Sequence, residues 1–311
     1  MTVNRRGIEM NRNKIYSAVA GLVLSLGAAS AGALTIQAGD YIMVLQDLDS
    51  GTTGYGNTVG TVCTTVAGCN AAAAAPAPGS IGSVNSSADT MGIFSVQSIT
   101  RVGSLTPFFT AGGADGFLTG VFGNLTDYNV TIAGATCSNA NPGGCITGAK
   151  AIGGTFTLYQ NATGPNTALG PNVAPGKDLN VPLYPTITGQ PVYLQGVFSP
   201  GVIAGDTTTT FLSLFNNGTL NGGSGGYLDF TGGSALSTFN TNGQQDPNGN
   251  FHDAHLDVTF FAATGDAATA GWTVQSSSQI TGAAIPEPNS IALLGLGMLA
   301  AGWAYRRRQS N

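Results

Sequence analysis

The sequence predicts an all-β body, an antiparallel β-sandwich or jelly-roll-like fold, set between an N-terminal signal peptide and one short C-terminal transmembrane helix. Three observations carry that expectation. Between residues 34 and 284 the only basic residues are Arg101, Lys150 and Lys177, and all thirteen acidic residues are Asp. Helix surfaces are normally built from Glu, Lys, Arg and Gln, whereas Asp, Asn, Gly, Ser and Thr bond the local backbone and favour turns. Several runs alternate apolar and polar residues with period two, the mark of a sheet with one buried and one wet face. Clusters such as "NNGTLNGGSGG" and "TNGQQDPNGN" separate those runs as turns do.

Taken in order, the chain opens on Arg5, Arg6, Arg12 and Lys14, followed by an apolar run over 15–29 and by Ala31-Gly32-Ala33. These are the three parts of a secretory signal peptide over 1–33, with Ala31 and Ala33 as the cleavage positions. The run falls short of the roughly 20 residues a membrane span needs. The body is expected over 34–275, with strands near 41–46, 93–100, 154–160, 191–198, 210–215, 256–262 and 271–275. In "GTFTLYQ", Phe156 and Leu158 face one way and Thr155 and Thr157 the other. In "HLDVTFF", Leu256, Val258 and Phe260 oppose His255, Asp257 and Thr259. The low-complexity "AAAAAPAPGS" (71–80) and the proline-rich 161–185 read as loops, and the small, polar 276–284 as a linker.

Four cysteines, Cys63, Cys69, Cys137 and Cys145, allow three pairings, and the two local ones close short loops. Disulfides fit an oxidising compartment, and the spacings are unlike the C-x₂-C pairs of zinc sites. Three basic against thirteen acidic residues leave the body at a formal −10. Such a surface lacks the cations that neutralise nucleic-acid phosphate, so no nucleic-acid partner is expected.

Candidate chemistry is sparse, and no enzyme is expected. "GGSGG" (222–226) has the G-x-S-x-G spacing of a nucleophile elbow but lacks its strand-before, helix-after context, and reads as a flexible turn. Asp253, His255 and Asp257 would share one strand face and could hold a divalent cation; a plain polar face is the simpler reading. "DPNGN" (246–250), with Asp257 at its twelfth position, resembles the start of a calcium loop, but Phe251 stands where the turn wants Gly. "DLDSG" (47–51) is a second such stretch. No metal site or cofactor is therefore assigned, calcium being the one candidate ion. Tyr159, Tyr184, Tyr193 and Tyr227 are the side chains on which a sugar-stacking platform would have to rest.

The tail reads Pro286-Glu287-Pro288, an apolar stretch over 290–305, then Arg306, Arg307 and Arg308. At 1.5 Å per residue that stretch is at the short edge for a membrane helix, and the arginines would stay cytoplasmic. Proline on either side of Glu287 keeps the triplet extended, as a protease substrate must be. Residues 285–311 strongly resemble the PEP-CTERM sorting signal of Gram-negative bacteria. The resemblance implies an exosortase as partner, a membrane-embedded cysteine protease-transpeptidase, with Pro286, Glu287 and Pro288 as its recognition element. It also implies transient residence in the inner membrane, and an association with exopolysaccharide and biofilm. The chain is thus expected to be exported, held first as a membrane-anchored precursor, and then placed at the cell surface or in the extracellular matrix. Its expected role is a non-enzymatic one, with extracellular polysaccharide as partner. The alternative is a carbohydrate-binding or calcium-assisted adhesin module, and an extracellular hydrolase is a distant third.

Overall fold

The computed structural model describes residues 37–52, 89–138, 140–166, 170, 186–187, 191–216, 218–285 and 298–299. The chain divides into residues 1–35 and a unit of residues 36–311, and every described residue belongs to the second. Its strands are β1 (Gly39–Thr52), β2 (Asp89–Arg101), β3 (Phe109–Thr110), β4 (Phe117–Ala133), β5 (Ile146–Asn161) and β6 (Val192–Ser199). They continue with β7 (Phe211–Asn216), β8 (Gly222–Gly232), β9 (Gln244–Gln245), β10 (Phe251–His252), β11 (Ala254–Ala262) and β12 (Val274–Ala284). Two short helices, α1 (Leu236–Phe239) and α2 (Gly265–Ala270), lie in the connections.

The antiparallel all-β expectation holds, but the sheet is a barrel rather than a sandwich or jelly roll. Apart from β6 and β7, which share a place in the wall, each long strand pairs with the next long strand in the chain, and β12 returns to β1, which also pairs with β2. Alternation reports that one face of a sheet is buried; whether that face stacks on a second sheet or curls onto itself depends on pairing between the first and last strands. That closing strand is β12, which covers the expected linker over 276–284. Its inward positions include Ser276, Ser278 and Gly282, too small and polar to give a hydrophobic period, and so it was hidden.

Eight staves complete the circuit, one of them composite. β6 pairs with the C-terminal half of β5 and β7 with the N-terminal half, and both pair with β8. They form one line in the wall, interrupted by residues 200–210. That excursion is pinned by a Lys150–Asp206 ion pair at 3.2 Å and by the Gly205 N–H donating to Asn248 Oδ1 at 2.6 Å.

Glycine allows aromatic rings to fill the interior. Phe122 lies opposite Gly92, Phe94 opposite Gly120, and Phe156 opposite Gly196. A Cβ at Gly120 would come within 2.3 Å of the Phe94 ring, so the ring occupies the space a side chain would need. Aromatic residues over cross-strand glycines restore packing that a glycine-rich sheet otherwise lacks.

One end of the barrel is plugged. Phe239 of α1 is fully buried and packs edge-on against Tyr41, with ring centroids 5.2 Å apart, and against Phe230 and Tyr193. Asp253 holds this cap: its carboxylate accepts the N–H groups of Thr241 and Asn242, which follow α1, and of Phe230. Outside the wall, Leu48, Met91, Ile93, Val121, Tyr159 and Trp272 form a second apolar cluster, covered by Ala267 and Ala270 of α2.

The outward residues Asp257, Thr259, Ser277 and Gln279 are exposed. Apolar inside and polar outside on these strands is the reverse of a lipid-facing barrel. Among the described residues no helix is long and apolar enough to cross a membrane. The expected signal peptide falls outside the described residues, as does the expected helix over 290–305 apart from 298–299.

Candidate functional site

Strand register builds a graded cavity inside the barrel. Followed across the wall through hydrogen-bonded partners, Asp47 leads to Ser276, Phe260, Gly222, Phe215 and Thr147. Followed the other way, it leads to Phe94, Gly120 and Leu158. The circuit thus returns to β5 at Leu158 rather than Thr147, eleven positions along the strand. Stagger, strand tilt and barrel width are linked, and eight strands can enclose side chains or one small ligand. Here they leave a cavity of about 200 Å³.

The rows differ in chemistry. Nearest the plug, Met43, Ile280, Leu256 and Phe211 are apolar. One row further come Leu45, Ser278, Val258, Ser224 and Ser213, of which three are hydroxyls. The row after that holds Asp47, Phe260, Phe215 and Thr147, and Asp49 follows on β1. Among the described residues no Lys, Arg or His lines the cavity.

Burial pushes the Asp47 carboxyl up to about 6, against the hydroxyls of Ser278 and Ser276. Burial, with the neighbouring charge of Asp47, pushes Asp49 up to about 8. Ser278 donates to Asp47 Oδ1 at 2.8 Å. Thr147, fully buried, has a hydroxyl with no hydrogen-bond partner. This corrects the reading of "DLDSG" as a calcium-type loop. The stretch lies in strand, and its period-two alternation carries both carboxyls inward. The same holds for "GGSGG": it is β8, not a flexible turn, and Ser224 faces the cavity from the middle of a paired strand.

A second polar cluster lies outside the wall. His252 Nδ1 is 3.1 Å from Asp229 Oδ2 and its Nε2 is 3.4 Å from Asp246 Oδ2, while the Tyr227 ring packs against His252 and His255. The Ser199 hydroxyl donates to Asp229. Asp246 starts the expected calcium loop, yet its oxygens accept the Asn248 and Asn250 N–H groups and the Asn250 amide. Burial raises its pKa, but those bonds and His252 outweigh it, and the net shift is downward. The proposed Asp253–His255–Asp257 face does not assemble. His255 and Asp257 approach to 3.2 Å, whereas Asp253 is buried on the α1 cap. Among the described residues no group of three or more His, Cys, Asp or Glu is placed to hold a metal ion.

Of the expected disulfides, Cys137–Cys145 is formed and closes the β4–β5 connection. Cys63 and Cys69, the cleavage residues Ala31 and Ala33, the triplet Pro286, Glu287 and Pro288, and Arg306, Arg307 and Arg308 lie outside the described residues. Tyr159, Tyr193 and Tyr227 are buried, so these three present no open stacking face, and Tyr184 is outside the described residues.

Comparison with curated proteins and with solved structures finds no match. A family model, the PEP-CTERM protein-sorting motif, matches residues 284–308. The chain therefore carries a PEP-CTERM sorting motif directly after its barrel, and that motif marks it as an exported, exosortase-targeted protein.

Proposed function

We propose that the chain is a non-enzymatic component of the extracellular polysaccharide matrix, delivered there when an exosortase cuts at the sorting motif. The observation that carries this reading is where the fold ends. Ala284, the last residue of β12, pairs with Gly39, and the Ile285 N–H donates to the Thr238 carbonyl at 2.9 Å. The barrel is complete one residue before Pro286, so a cut within the triplet leaves every stave in place. Exposed Ser, Thr, Gln and Asp on the outer wall suit a hydrated polymer. The non-enzymatic reading is supported by the outer cluster, where Ser199 donates to a carboxylate rather than to the imidazole that would activate it.

The test is mass spectrometry of the native protein's C-terminal peptide, taken separately from washed matrix and from inner membrane. Matrix protein is expected to end at or near Pro286–Pro288, with or without an adduct. Finding the tail through Arg308 intact, and only in the membrane fraction, would overturn the proposal.

A further inference from the structure

The cavity supports an inference that goes beyond sorting and matrix residence. Two acidic side chains face a mostly apolar cavity, and among the described residues no basic one lines it. Across the barrel, on the same row of register partners as Asp47, Thr147 presents a buried hydroxyl without a partner. Buried polar groups are ordinarily satisfied, and one that is not calls for an explanation such as a ligand. The row nearest the plug is wholly apolar, and hydroxyls and carboxyls enter only in the rows beyond it, beside Val258, Phe260 and Phe215.

We propose that the cavity binds a small primary-amine amphiphile, with its apolar body among Phe211, Leu256 and Ile280 and its ammonium beside Asp47, Asp49 and Thr147. Size fits: about 200 Å³ exceeds the roughly 150 Å³ that suffices for benzene in an apolar cavity, which gives a body of about ten non-hydrogen atoms. Charge fits as well. A buried acid is costly until it is paired, and one ammonium offsets the charge of one of the two carboxyls while the other can stay protonated. A carboxylate head, as in a fatty acid, would add a third acid to an uncompensated pair. A bare divalent ion would meet only two carboxylates and a few hydroxyls, and would leave the apolar rows empty.

The experiment is isothermal titration of the full chain at pH 7 with octylamine, octan-1-ol and octanoate as probes. Octylamine is expected to bind saturably and at least tenfold more tightly than octanol, with octanoate weakest. Asp47→Asn with Asp49→Asn should remove that tenfold preference while octanol binding persists. Ser224→Leu, which fills the cavity, should abolish binding of all three. Far-UV circular dichroism of each variant establishes that the barrel is formed. Saturable binding of none of the probes overturns the site, and octanol or octanoate binding as tightly as octylamine overturns the head-group assignment. Both outcomes are independent of where the protein is sorted.

Discussion

Asp47 and Asp49 place a cost of known sign in the barrel. Burial raises both carboxyls, to about 6 and about 8, and being two residues apart they titrate as a pair. An unfolded Asp releases its proton near 3.9, so between about pH 4 and pH 8 the folded chain holds protons that the unfolded chain has lost. Stability then falls as pH rises through that window. The melting temperature is expected to be lower at pH 9 than at pH 5. Asp49→Asn should flatten the slope and recover about 2 kcal/mol at pH 9, a figure discounted for the partial exposure of Asp49. Thermal unfolding at the two pH values checks this, and a wild-type midpoint that climbs from pH 5 to pH 9 would contradict it. Asp206 acts in a different window. The Thr209 hydroxyl, then the Thr208 N–H, hold its carboxyl well below the usual range, so its contribution is lost only as pH falls below the ordinary Asp value. The sequence did carry a signal for the cavity acids. Tyr41, Met43, Leu45, Asp47 and Asp49 continue one period-two series, but Asp is disfavoured in strands, and "DSG" beside it suggested a turn.

Among the elements, alternation placed β6, β7 and β11 closely and found the C-terminal half of β5, whereas β4, whose apolar period is broken by Gly120 and Gly123, was not read as a strand. The first part of β8, Gly222–Gly226, was read as a turn because four of its five residues are Gly. In the barrel those glycines are needed: a Cβ at Gly222 would meet the Leu214 carbonyl at 2.3 Å, and one at Gly226 the Thr210 carbonyl at 2.6 Å. Spacing shows where glycine is frequent; only the facing strand shows that the room is already taken. The α1 plug was equally hidden, since four residues carry no helical period. Phe239→Ala should cost about 3–5 kcal/mol, as for other fully buried aromatic residues, read from the denaturant midpoint. A loss under 1 kcal/mol would mean that α1 is not the barrel's cap. At the other end, Cys137–Cys145 spans eight positions between β4 and β5, and the Asn216 side chain donates to Gly143 within that loop. Closing so short a loop restrains the unfolded chain by roughly 2–3 kcal/mol. Cys137→Ser with Cys145→Ser should therefore lower the melting temperature by about 5–10 °C. An unchanged midpoint would show that the hairpin contributes nothing global.

For the whole molecule, closure decides what the sorting motif can release. β1 begins and β12 ends at the plugged end, where Gly39 pairs with Ala284, while Asp49 and Thr147 lie toward the opposite end. The chain thus leaves the barrel on the side away from the acidic row. A division at residue 275 places most of the last strand in a linker. The barrel instead needs it, because β12 is bonded along its length to β1 on one side and β11 on the other. Without it, two long edges open, and the rows holding Asp47 and Leu45 lose their partners Ser276 and Ser278. A chain shortened to end at Ile285 should therefore keep the far-UV spectrum and melt within a few degrees of the full chain, whereas one ending at Gln275 should fail to fold cooperatively. Equal midpoints for the two would refute barrel closure through β12. Loss of folding in the chain ending at Ile285 would mean that the tail is part of the fold, and release by an exosortase could not then leave an intact protein in the matrix.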